Sequence, residues 1–178
     1  SEGYCWAFAS VASMESSILS QNDLKSKLGE NPQDTIDLSE AGQTWYIHSG
    51  IVDKSSPFYG DYINDSSKGS NGGTSDTLAI SLNSGFGTYP QSLCPYNEVK
   101  KGFSETLRYY SDYRLKDYSE ISNNKDTLKS KIVSNGAVTV HYPSITDCYS
   151  SDYANYYSDN TCIGIGDSHL IVVVGWDD

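Results

Sequence analysis

At 178 residues the chain is long enough for one domain with a substantial core, and 37% hydrophobic with 12% aromatic residues marks it as globular rather than disordered. Twelve basic against 23 acidic residues give a net charge of −11, which leaves no basic face of the kind that nucleic acid or anionic lipid requires. No apolar run approaches the roughly 18 residues of a spanning helix, so no membrane insertion is expected.

From Trp6 to Leu19 the apolar residues Trp6, Phe8, Ala9, Val11, Ala12, Met14, Ile18 and Leu19 recur largely at helical spacing. Cys5 falls where loop becomes that helix. A helix start carries free N–H groups and partial positive charge, and a thiol there ionises more easily to the nucleophilic thiolate. Free cysteines are also often buried and inert, so position alone leaves both roles open. Gly29 to Asp34 reads as a surface turn. Ser39 is an N-cap for a second helix running to about His48 and ending at Gly50, with His48 facing solvent. Residues 52–74 form an irregular excursion ending in Gly69-Ser70-Asn71-Gly72-Gly73. Paired glycines admit the close approach of another backbone, although an ordinary loop before the helix Ser75 to Asn83 is the simpler reading of this stretch taken alone. Tyr89-Pro90 and Cys94-Pro95-Tyr96 mark turns beyond it.

The second half changes character. Asp126 to Ser134 reads as a short helix stopped by Asn135-Gly136. Ala137 to Tyr142 has a strand pattern, and the aliphatic run Leu170 to Val174 suits a buried strand with His169 at its mouth. Helices first and strands second predict an α+β protein with two lobes, helical over about residues 1–105 and β-rich over 106–178, in a single domain. Cys148 and Cys162 bracket a polar loop and are the expected disulfide; closing about 15 residues is worth about 3 kcal/mol in the chain-entropy model. A bridge between Cys5 and Cys94 is the alternative that would silence Cys5. No cysteine spacing resembles a zinc site, so neither metal nor cofactor is expected.

Only three histidines are present: His48, His141 and His169. An imidazole in contact with a thiol can take its proton and leave a thiolate–imidazolium pair ready at neutral pH. His169 is the candidate partner for Cys5, distant in sequence but able to face it across two lobes.

Cys5-Trp6-Ala7-Phe8, Leu38-Ser39-Glu40, Asn71-Gly72-Gly73 and Ser168-His169 with its Val-Gly-Trp strand occur in the order and spacing of papain-like cysteine peptidases, which the chain resembles from Gly3 to Trp176. The resemblance implies a papain-like two-lobed fold with the active site in the cleft between the lobes. It implies Cys5 as nucleophile, with its own N–H as one oxyanion-hole donor, and His169 as the base that later protonates the leaving amine. It further implies that Gly72 and Gly73 pair with the substrate backbone as an added strand, and that His141, Ser168 and Leu170 line the main specificity pocket. The substrate would be a protein or peptide. The closing His-Leu-Ile-Val-Val-Val-Gly-Trp-Asp-Asp and the Tyr/Asn-rich loop before it look most like secreted bacterial and archaeal members, several of them multidomain surface proteins with lectin-like domains. A secreted or cell-surface location and further domains of the same parent chain are therefore expected.

There are departures from the family pattern. Glu2 and Ser70 stand where relatives commonly have a bonded cysteine pair, and Tyr4 replaces the usual small residue before the nucleophile. The family's oxyanion glutamine would precede Ser1, and the asparagine that orients the histidine would follow Asp178, so the sequence is expected to be part of a longer protein. A non-catalytic surface adhesion or binding domain on the same fold is the second reading, motivated by the Tyr-, Ser- and Asn-rich stretches Tyr109 to Tyr118 and Tyr149 to Ser158.

Overall fold

The computed structural model describes residues 3–57, 59–60, 72–83, 86–145, 148–150, 155–156 and 166–177. In chain order the elements are α1 (Cys5–Ser20), α2 (Asn22–Lys25), α3 (Pro32–Thr35), α4 (Glu40–His48), α5 (Ser75–Asn83), α6 (Lys125–Asn135), β1 (Val138–Ser144), β2 (Tyr149–Ser150), β3 (Asn155–Tyr156) and β4 (Asp167–Val173), with short 3-10 turns at 26–28, 96–98 and 105–107. Helices and strands are segregated along the chain, as in an α+β protein.

The ends of these helices follow from local chemistry. Ser39 caps α4, its Oγ accepting the Gly42 N–H at 2.8 Å. The same hydroxyl donates to the Cys94 carbonyl, so one side chain fixes both a helix start and a distant turn. Asn124 caps α6 through the Thr127 N–H at 2.9 Å, and Gly136 ends it at φ +91° with its α-carbon against Ser16. The expected turn over 29–34 closes into the single helical turn of α3, because Pro32 at its first position costs no hydrogen bond there.

The core lies in the helical half, in three clusters. Trp6, Ala7, Ile47, Leu78 and Leu82 join α1, α4 and α5. Val11, Ile18 and Leu38 form a second cluster under α1, and Tyr46, Tyr89 and Cys94 form a third. Beside that third cluster Arg108 is only 1% exposed. Its guanidinium pairs with the Glu105 carboxylate through two 2.7 Å bonds and donates to the Tyr46 and Gly50 carbonyls. A buried cation so paired ties the turn at 105–107 to the end of α4.

Two expectations are corrected. His48 is buried rather than solvent-facing, its ring edge-to-face with Trp6 at 5.8 Å, because α4 turns that side onto α1. The Leu170 to Val174 run is not a buried strand. Among the described residues β4 pairs with β1 alone, and Ile171 and Val174 are 38% and 76% exposed.

Candidate active site

Cys5 is the first residue of α1, half-buried, with a free thiol. Ala7 and Phe8 donate their N–H groups to the Tyr4 carbonyl at 3.0 and 3.2 Å, and the Tyr4 side chain makes no capping bond. The helix start thus has no side-chain cap from Tyr4, and the partial positive charge of a helix start favours an anion at Cys5. Tyr4 is buried, its ring edge-to-face with Tyr96, and Phe8 meets Tyr96 in the same way. These aromatic contacts fix the entry of the chain into α1 where a side-chain cap would otherwise do so.

Trp6 is fully buried beneath the same turn, and Gly73 lies directly on it: a β-carbon at Gly73 would stand 2.7 Å from the indole Cε2. Only glycine permits that approach. Gly72 adopts φ +105° with open space where a side chain would project. Gly73 thus stands against the first turn of α1, and among the described residues nothing fills the space where a Gly72 side chain would project.

The strand pair approaches from the other direction. Ser13 Oγ donates to the Ala137 carbonyl and Ser16 Oγ accepts the Ala137 N–H, both at 2.8 Å. Thr139 Oγ1 donates to the Ala9 carbonyl at 3.4 Å. β1 therefore runs antiparallel along α1, from its third turn back toward its start. Beyond Thr139, in the direction of the helix start, β1 carries Tyr142, which pairs with His169 of β4.

Register then sorts the remaining candidates. His141 opposes Leu170, Tyr142 opposes His169 and Pro143 opposes Ser168. Alternation puts His141, Ser168 and Leu170 on one face and Tyr142 and His169 on the other. Leu170 packs against the Trp6 cluster, so the first face is the one turned to α1. His141 and Ser168 are exposed there and hydrogen-bonded to each other, Nε2 to Oγ. His169 is half-buried, with the Tyr142 ring 5.6 Å away. The described hydrogen bonds do not join Cys5 to His169. In enzymes without substrate such contacts are often long and tighten in the reacting complex.

The described contacts thus bring Gly73 and Leu170 to the Trp6 turn that follows Cys5, whereas His169 stands on the face of the ladder opposite the one turned to α1 and no described contact joins it to Cys5. Cys94 is free as well, so the expected alternative of a Cys5–Cys94 bridge does not occur. Cys148 is disulfide-bonded, while its expected partner, Cys162, lies outside the described residues, as do Asn71 and most of the Tyr/Asn-rich loop.

Two features had no reading in the sequence. Arg108 is a lone cation among aromatic and aliphatic neighbours, which was the one available hint of its burial. Tyr118 donates its hydroxyl to Asp76 Oδ1 in the first turn of α5, 42 residues away; nothing local signals that pairing. The model of a family described as Papain family cysteine protease matches residues 2–178. No curated protein matches the chain.

Proposed function

The chain belongs to the papain family of cysteine proteases and is a cysteine-type peptidase, and from that premise we propose that Cys5 is its nucleophile and His169 its general base. The Cys5 thiolate attacks the scissile carbonyl carbon, forming an acyl-enzyme as the C–N bond breaks. His169 accepts the thiol proton and delivers it to the leaving amine; water then attacks the thioester and releases the acid. The Cys5 N–H donates to the oxyanion. The substrate backbone pairs along Gly72 and Gly73 as an added strand, and His141, Ser168 and Leu170 contact a substrate side chain. The single observation that supports this reading is the family match over residues 2–178, together with a free, half-buried Cys5 thiol at the first residue of α1.

The domain is proposed to be one peptidase unit with lobes over about residues 1–105 and 106–178 and a cleft between them, within a multidomain parent protein acting outside the cell or at its surface. The disulfide at Cys148 supports an oxidising compartment. The test is turnover of fluorogenic peptides by the full protein under mild reduction. Cys5→Ser and His169→Ala are each expected to lower kcat/KM by roughly 10³-fold or more with the fold intact; wild-type rates in either variant would overturn the assignment.

A further inference from the structure

Between Ser111 and Ile121 the segment linking the helical half to α6 has no helix or strand, yet it is fastened at successive points. The Tyr113 N–H donates to Thr88 Oγ1 and its carbonyl accepts the Thr88 N–H, each at 3.2 Å. Leu115 packs against the Trp6 cluster. Tyr118 then reaches Asp76 with its hydroxyl. Asp76 lies three residues after Gly73, inside the first turn of α5.

That turn is held from several sides. Thr74 Oγ1 accepts the Thr77 N–H at 3.3 Å, Ser10 Oγ donates to Ser75 Oγ at 3.3 Å, and Gly73 is seated on the Trp6 indole. Tyr118 adds the tie from the connecting segment. We propose that Tyr118 is a positioning residue: anchored on Asp76, it holds the first turn of α5, and with it the Gly72–Gly73 edge, in the place where a substrate chain pairs. This rests on the proposed role of those glycines. A backbone edge binds an added strand only if its N–H and C=O groups are already aligned, so a looser edge weakens substrate binding and leaves the chemistry at Cys5 untouched.

Asp76 also sits favourably in a helix first turn whatever Tyr118 does, so Tyr118→Phe is the informative variant. Tyr118 is 43% exposed, and losing its hydroxyl leaves the packing in place. In the full protein Tyr118→Phe is expected to raise KM for an extended peptide about three- to tenfold with kcat within about twofold. Asp76→Ala should reproduce that rise, the double variant should add nothing to it, and Asp76→Asn, which retains an acceptor oxygen, should keep KM near wild type. An unchanged KM in Tyr118→Phe, or an equal fall in kcat, would overturn the proposal. Amide exchange at Gly72, Gly73 and Thr74 reads the same tie without turnover. Several-fold faster exchange in Tyr118→Phe supports it, and unchanged exchange overturns it; a wild type that exchanges as expected but cleaves nothing would refute the peptidase assignment instead.

Discussion

Cys5 and Cys94 are both free thiols in one chain, and their surroundings could hardly differ more. Cys94 is fully buried against Tyr46 and Tyr89, with its carbonyl taken by Ser39. Burial pushes its thiol up to about 11, because a thiolate there would lose its hydration without gaining a partner. Cys5 stands half-buried at the start of α1, where Tyr4 provides no side-chain cap. The contrast teaches that reactivity here is a property of place. The neighbourhood of Cys94 stabilises the fold, and that of Cys5 leaves its thiol partly exposed.

The largest stability effect should come from breaking the Cys94 neighbourhood at its charged support. Arg108→Met leaves the Glu105 carboxylate without its cation and two backbone carbonyls without donors, and should cost about 3–5 kcal/mol in urea unfolding. Cys94 should then become alkylable under mild denaturation. A loss below about 1 kcal/mol would mean that the guanidinium is not the anchor of this region.

A smaller effect should come from the junction of α1 and α4, between the two thiols. Burial raises Glu40 to about 7, with the Glu15 and Asp37 carboxylates adding to the shift. Glu15 is also raised, chiefly by burial, while it accepts the Leu38 N–H at 2.7 Å. A carboxyl whose folded pKa exceeds its unfolded value binds its proton more tightly when folded. Its contribution is therefore fully present below about pH 4.5 and is lost as pH rises through about 7. After solvent screening this amounts to on the order of 1–2 kcal/mol. Melting between pH 5 and 8 should show that loss in the wild type and a flatter profile in Glu40→Gln; identical profiles would contradict it.

Much of the local structure was legible because it is written in short-range chemistry. Apolar spacing after Cys5, the Ser39 cap and the Asn135-Gly136 stop gave α1, α4 and α6 within a residue or two of their observed ends. The strand patterns around His141 and His169 gave β1 and β4, and their pairing supplies the register that sets His169 beside Tyr142. What could not be read depends on contacts far apart in sequence. His48 carries no local sign that Trp6 will cover it. Arg108 becomes buried only because Tyr46, Gly50 and Glu105 converge on it. The Leu170 to Val174 run is apolar enough to be buried, but burial needs a second covering layer, and among the described residues β4 has only β1 beside it and α1 on one face. The candidate site was legible as residue types in order; its spatial logic, with β1 antiparallel along α1, came from Ser13, Ser16 and Thr139, which no motif singles out.

The most direct test of the contrast between the two thiols is site-mapped labelling of the folded, mildly reduced full protein with an epoxysuccinyl inhibitor such as E-64. Mass spectrometry should find one adduct per molecule, on Cys5, with Cys94 unmodified until the protein is unfolded. Stoichiometric labelling at Cys94, or none at Cys5 in the folded protein, would contradict the account.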